Sequence, residues 1–146
     1  MQTMGLSGER YFVTFTDEAG GQVSLSLLST KDEALRAFQV YRARAEKTSG
    51  REIKSFKSDG GGEYLNQKYK TYLEEARVQH INSLPYSPAQ NGRAERANRT
   101  FMENGRCILE EAKVGKEFWG QAVLTAAHIN NHLPSWGYKD MAPLEY

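Results

Sequence analysis

One cysteine, four prolines and two tryptophans are all that the 146 residues contain of those types. A lone Cys107 cannot close an intramolecular disulfide or supply a cysteine-rich zinc site, which excludes a disulfide scaffold and suits a reducing compartment. Long apolar runs are missing too. The longest stretches are as short as 122–127, far below the ~20 apolar residues of a membrane helix, so no membrane partner is expected. Residues 1–9 carry neither a basic segment nor an apolar one after it, so no secretory signal is read there and an intracellular chain is expected. Charge of one sign is also absent: 19 Lys and Arg against 18 Asp and Glu leave +1. That balance argues against a disordered charged tail, and it means that any nucleic-acid binding must rest on a local basic stripe. What is present is ordinary globular material, 39% hydrophobic and 25% charged. At this length one domain can bury roughly 70% of its unfolded surface.

No internal repeat or low-complexity tract interrupts the chain. Tyr11, Val13 and Phe15 alternate with Phe12, Thr14 and Thr16, and Val23, Leu25 and Leu27 alternate with Ser24 and Ser26. Both runs read as strands, and Ala19-Gly20-Gly21 between them reads as the turn of an antiparallel hairpin. Thr30-Lys31-Asp32-Glu33 offers a capping box for a helix carrying Leu35, Phe38, Tyr41 and Ala45, stopped by Ser49-Gly50. A strand over 52–58, a helix over 65–77 with Tyr69, Tyr72 and Leu73 on one side, and a strand over 79–84 follow. After a loop over 85–92, helices are expected over 93–113 and 116–133, the last with Trp119, Ala122, Ala126, Ile129 and Leu133 at helical spacing. Ser87-Pro88-Ala89-Gln90 could start the first of these earlier, with Pro at the first position, whereas Asn91-Gly92 argues for the later start. Alternating helix and strand after a hairpin implies an α/β fold, a mixed sheet flanked by helices, with catalytic residues collecting at strand ends.

Two acids stand out. Asp59 ends the third expected strand and precedes three glycines, so a metal ion or a phosphate could approach it closely; an Asp before Gly is also an ordinary turn. On a helical wheel Ala94, Ala97, Phe101, Ile108 and Ala112 define the buried face of the 93–113 helix. Glu95 falls about 130° from the centre of that face, in one stripe with Arg99 and Arg106, where a solvated ion-pair face is equally ordinary.

Their surroundings are more specific. Lys57-Ser58-Asp59-Gly60-Gly61-Gly62-Glu63-Tyr64, and then Tyr86-Ser87-Pro88-Ala89-Gln90-Asn91-Gly92-Arg93-Ala94-Glu95-Arg96-Ala97-Asn98-Arg99-Thr100, resemble the integrase catalytic core of Ty1/copia-type retrotransposons. The 35 residues between Asp59 and Glu95 match the spacing of the second and third acids in the D,D-35-E signature. The resemblance runs from Arg10 to the region of Pro134. It implies a ribonuclease-H-like fold over 10–134, with 1–9 as a remnant before the hairpin and 135–146 as the start of a linker. It also implies catalytic, metal-binding Asp59 and Glu95, a pair of Mg²⁺ or Mn²⁺ ions, and transfer of element DNA into target DNA in the nucleus by a homo-oligomer. Carboxylate oxygens suit such hard cations, which activate an attacking oxygen and neutralise a leaving one. By the same resemblance Asn98 and Arg99, one turn beyond Glu95, would meet DNA, and Tyr86 and Asn91 would do so from a mobile loop. The stretch 90–106 is locally basic, with Arg93, Arg96, Arg99 and Arg106 against Glu95 and Glu103.

There are departures from the family pattern. The family's first acid lies in an Asp-x-x-Gly-Pro element on an earlier strand, and matching places Met1–Gly8 just after it, so the first strand and first acid are expected upstream of Met1. Asp17 is the weaker alternative, because its context matches a structural strand acid. Gly60 replaces the usual Asn, Ala19-Gly20-Gly21 replaces the usual Phe-Ser-Arg, and the family's preceding zinc domain is not seen. His128 and His132, four apart, read as ordinary polar positions near a helix end, having no third ligand nearby. Two other readings stay open: an inactive integrase remnant that only binds nucleic acid, and an unrelated two-carboxylate hydrolase such as a glycosidase.

Overall fold

A computed structural model describes residues 3–17, 20–58, 67–82 and 88–133; for 82 and 88–94 it describes the backbone alone. In chain order the elements are β1 (Tyr11–Thr16), β2 (Val23–Leu28), a 3-10 turn (Lys31–Glu33), α1 (Ala34–Ser49), β3 (Ser55–Ser58) and α2 (Gln67–Glu75). Then come β4 (Gln79–Asn82), α3 (Pro88–Ala112), a second 3-10 turn (Lys116–Phe118) and α4 (Trp119–His132). They divide into two compact units, Met1–Thr30 with Ala97–Tyr146, and Lys31–Arg96.

In the first unit β1 and β2 pair antiparallel, with Phe12 opposite Leu27 and Thr14 opposite Leu25. The expected hairpin therefore forms, and Asp17 helps to make its turn. Its carboxylate accepts the Gly20 N–H at 3.3 Å, and its carbonyl accepts the Gly21 N–H at 2.7 Å. Gly21 has a φ of 72°, a left-handed conformation that costs glycine nothing. Strand alternation then sorts the side chains. Phe12, Leu25 and Leu27 pack on a core of Val23, Phe101, Trp119, Val123, Ala126 and Ala127, while Val13 and Phe15 are buried on the opposite face.

The last helix departs from the expected face. Trp119, Ala122, Val123, Ala126 and Ala127 are buried, but Ile129 is 46% exposed and Leu133 56%. The buried position of that turn is instead Asn131, which clamps β2. Its Nδ2 donates to the Val23 carbonyl at 2.7 Å, and its Oδ1 accepts the Val23 N–H at 2.9 Å. On α3, Phe101 and Gly105 are buried, while Ala112, expected inside, is exposed.

Gly105 allows the α3–α4 approach. A Cβ built there would stand 3.1 Å from Val123 Cγ2 and 3.5 Å from the Val123 backbone nitrogen. That proximity accounts for a glycine where alanine would favour the helix by about 1 kcal/mol. Gly105→Leu is expected to cost about 1–3 kcal/mol by overpacking, read as a lowered urea midpoint at unchanged slope.

In the second unit the helix expected to start at the Thr30 box begins one 3-10 turn later, at Ala34. It ends where expected: Gly50 has a φ of 69° and donates to the Glu46 carbonyl. Arg42 Nε donates to Glu46 at 3.0 Å and its Nη1 to the Tyr72 hydroxyl at 3.1 Å, while Glu46 also accepts the Ile53 N–H at 2.9 Å. The last bond draws the carboxyl of Glu46 below its usual pKa, with a smaller contribution from Arg42. Together these contacts bring the chain from α1 into β3. β3 pairs parallel with β4, Ser55 opposite Gln79 and Ser58 opposite Asn82. Both strand directions of the expected mixed sheet therefore occur, but among the described residues they lie in two separate two-stranded sheets, one antiparallel and one parallel.

An aromatic cluster fixes β3. Phe56 lies with its ring centroid 4.7 Å from that of Phe38 and 5.7 Å from that of Tyr69, and Phe38 and Tyr69 are essentially fully buried. The 3.6-residue spacing of Tyr69 and Leu73 on α2, and the place of Phe38 on α1, are the sequence causes of this cluster.

Candidate active site

β3 delivers the chain to the first candidate acid. Ser58 is its last residue and is buried; Asp59, the next residue, lies outside the described residues. So does Tyr86. The second acid is described. Glu95 is exposed on α3, and among the described residues no hydrogen bond or ion pair engages its carboxylate. A free, solvated carboxylate of this kind can serve as an oxygen ligand for a hard cation.

The start of α3 revises one expectation. Asn91 was expected in a loop over 85–92, but the helix begins at Pro88, so Asn91 and Gly92 are helical; the side chain of Asn91 lies outside the described residues. Proline at the first helical position has no N–H to lose and a φ already suited to the helix, which outweighs the poor helix propensity of the Asn-Gly pair.

Asn98 and Arg99 follow Glu95 by three and four residues, one turn along the same helix. Arg99 is exposed, as are Arg96 and Arg106, so the expected basic stripe lies in solvent. Asn98 is half-buried. The Thr14 hydroxyl donates to its Oδ1 at 3.0 Å, which ties this turn of α3 to β1 and orients the amide, leaving the Nδ2 hydrogens for another acceptor.

One polar pair went unnoticed in the sequence. The Ser58 hydroxyl and His80 Nε2 are 2.8 Å apart, and the imidazole centroid lies 5.6 Å from that of the Phe56 ring. Ser58 and His80 sit on facing strands, two register positions apart, and so share a face. Only the pairing register could have shown this.

Burial, and secondarily the charge of Lys70, holds the His80 pKa below its ordinary value. The sign of the stability effect follows. The unfolded chain takes up the proton first as pH falls through about 6.5, so stability is present above that pH and is lost below it. Thermal unfolding is therefore expected at a lower temperature at pH 5.5 than at pH 7.5, with the drop smaller in His80→Gln. An equal drop in both proteins would contradict the assignment.

His128 and His132 are exposed, with ring centroids 4.3 Å apart, and His132 Nδ1 bonds the His128 carbonyl at 2.8 Å. No cluster of three or more metal-ligating side chains occurs among the described residues, and none of their helices is long and apolar enough to cross a membrane.

No protein-family model matches the chain. It is 40% identical over 135 residues, 92% of its length, to the retrovirus-related Pol polyprotein from transposon TNT 1-94 of Nicotiana tabacum. It is 30% identical over 132 residues, 90% of its length, to that from transposon RE2 of Arabidopsis thaliana. The chain spans only 10% and 9% of these two relatives. Among solved structures it is similar to a chain of the simian T-cell lymphotropic virus intasome in complex with PP2A regulatory subunit B56 gamma. There the TM-score is 0.72 at 20% identity, covering 92% of this chain and 46% of the other. The fold is ribonuclease-H-like, shared with that chain.

Proposed function

Since the chain belongs to the Ty1/copia-type retrotransposon family, as an integrase-like segment of its Pol polyprotein, we propose that it works as the integrase catalytic core. It joins 3′ ends of element DNA to target DNA by phosphodiester transfer, after trimming those ends by hydrolysis. The observation that carries the reading is the carboxylate of Glu95, unengaged among the described residues, exposed on α3 and separated by 35 residues from the Asp59 that follows β3.

Asp59 and Glu95 are the residues that would hold Mg²⁺ or Mn²⁺, two ions in the complete site. Two carboxylates offer only hard oxygen donors, which fit these cations and not a thiolate-seeking or imidazole-seeking metal. When bound, the ions lower the pKa of the attacking oxygen and neutralise the leaving one. The chain's own residues do the positioning. Arg99 offers a planar guanidinium to a phosphate one turn beyond Glu95. Asn98, oriented by Thr14, offers Nδ2 hydrogens to a base edge or a phosphate. Tyr86 and Asn91 are further DNA contacts.

The fold's occurrence in an intasome supports element DNA, target DNA and further copies of this chain as partners. Chromosomal target DNA makes the nucleus its place of work. The family pattern adds one further acid, its first, to the site.

The test is strand transfer in Mn²⁺ with a duplex ending in an element 3′ hydroxyl. The chain is assayed alone and joined to the preceding segment of a related Pol polyprotein. Joined products from the extended protein only are expected. Products from both would overturn the need for this further acid, and silence in both would favour the remnant that only binds nucleic acid.

A further inference from the structure

We propose that Ser58 and His80 form a positioning pair, locking the end of β3 in the register from which Asp59 can bind a divalent cation. The proposal rests on the reading of Asp59 as a metal ligand.

β3 has four residues, and among the described residues its ladder is shared only with the equally short β4. So short a strand end frays unless something besides the ladder holds it. Ser58 is the last residue of β3. Asp59 is the next residue in the sequence, so any slip of Ser58 passes to the acid directly.

The bond from the Ser58 hydroxyl to His80 Nε2, at 2.8 Å, runs diagonally across the pair of strands, because Ser58 stands opposite Asn82 and His80 opposite Phe56. A one-residue slip would turn the two side chains to opposite faces and break the bond. The imidazole is itself anchored. It lies 5.6 Å from the Phe56 ring, which packs on the buried rings of Phe38 and Tyr69. A chain of rigid contacts thus leads from the aromatic core through His80 to the residue before Asp59. Ser58 is only 9% exposed, and a hydroxyl buried that far is unfavourable unless it is bonded. An apolar residue would fill the position without that penalty, so packing alone does not explain a serine here.

The experiment is Mn²⁺ titration of the whole chain by calorimetry, with thermal unfolding measured on the same samples. The proteins are wild type, Asp59→Asn, Ser58→Ala, Ser58→Cys, Ser58→Thr and His80→Gln. Ser58→Cys, close in size to the natural residue, serves if Ser58→Ala does not fold. Wild type is expected to bind Mn²⁺, and Asp59→Asn to lose the binding. Ser58→Ala, Ser58→Cys and His80→Gln should remain folded at the assay temperature and bind about 10- to 100-fold more weakly, as loss of an outer-shell partner does. Ser58→Thr, which keeps the hydroxyl, should restore affinity. Folded Ser58→Cys and His80→Gln proteins with wild-type affinity, or Ser58→Thr as weak as Ser58→Cys, would overturn the pair and leave Asp59 as a ligand. No Asp59-dependent Mn²⁺ binding in wild type would overturn the reading of Asp59, and the pair with it.

Discussion

Asn131→Ala is expected to unfold with a stability loss of about 2–5 kcal/mol, because it strands two buried backbone groups at once. Asn131 is 8% exposed, and its amide serves both the N–H and the carbonyl of Val23. Those groups open β2, and the amide completes their pairing as a neighbouring strand would. Without it, the Val23 donor and acceptor stay in the core beside Trp119 and Ala127 with no partner of matching geometry. Against the 5–15 kcal/mol of an ordinary domain this is a large fraction, and at about 2–4 °C per kcal/mol for a chain near this size the melting temperature should fall by roughly 10 °C. Asn131→Asp separates the two halves of the clamp. It keeps an acceptor for the Val23 N–H but faces the Val23 carbonyl with an oxygen instead of a donor, so it should be no more stable than the alanine variant. A melting temperature within a degree or two of wild type for Asn131→Ala would show that the clamp does not carry the load assigned to it.

Glu95→Gln should have the opposite profile: no effect on folding and a severe one on DNA joining. The side chain is exposed and makes no ion pair among the described residues, so its substitution should change stability by no more than about 0.5 kcal/mol. The amide keeps the shape and loses the charge that holds the cation. Transition-state charge stabilisation by such ions amounts to several kcal/mol, so strand transfer by the extended protein should fall by roughly 100-fold or more. Arg99→Ala should fall by less, since a phosphate contact is only one of several, and its DNA binding should become less salt-dependent, the slope against log salt dropping by about one. Equal losses in both variants would assign Glu95 to DNA binding instead of to the reacting centre.

Much of the fold could be read from local signals, and the exceptions share one cause. Alternation at 11–16 and 23–28 was enough for the hairpin, and Gly50 for the end of α1, because a period of two and a left-handed cap are decided within a few residues. The exposed stripe of Glu95, Arg99 and Arg106 followed from helical geometry alone. Ile129 and Leu133 misled because spacing gives a face but not the place where the core under it ends. Asn131 was invisible among His128, Asn130 and His132, a run that reads as polar surface; its role depends on β2, 108 residues away. Ser58 and His80 escaped for a related reason, since neither residue means much until the register of two short strands brings them together. The candidate acids themselves came from motif and spacing, not from periodicity.

Mn²⁺ relaxation of backbone amides tests directly whether Asp59 and Glu95 meet at one divalent cation. Substoichiometric Mn²⁺ added to isotopically labelled chain should broaden the amides next to both acids, among them Ser58 and Arg96, in parallel, and should broaden neither set in Glu95→Gln. Broadening around Asp59 with no change near Glu95, or broadening centred on His128 and His132, would contradict it.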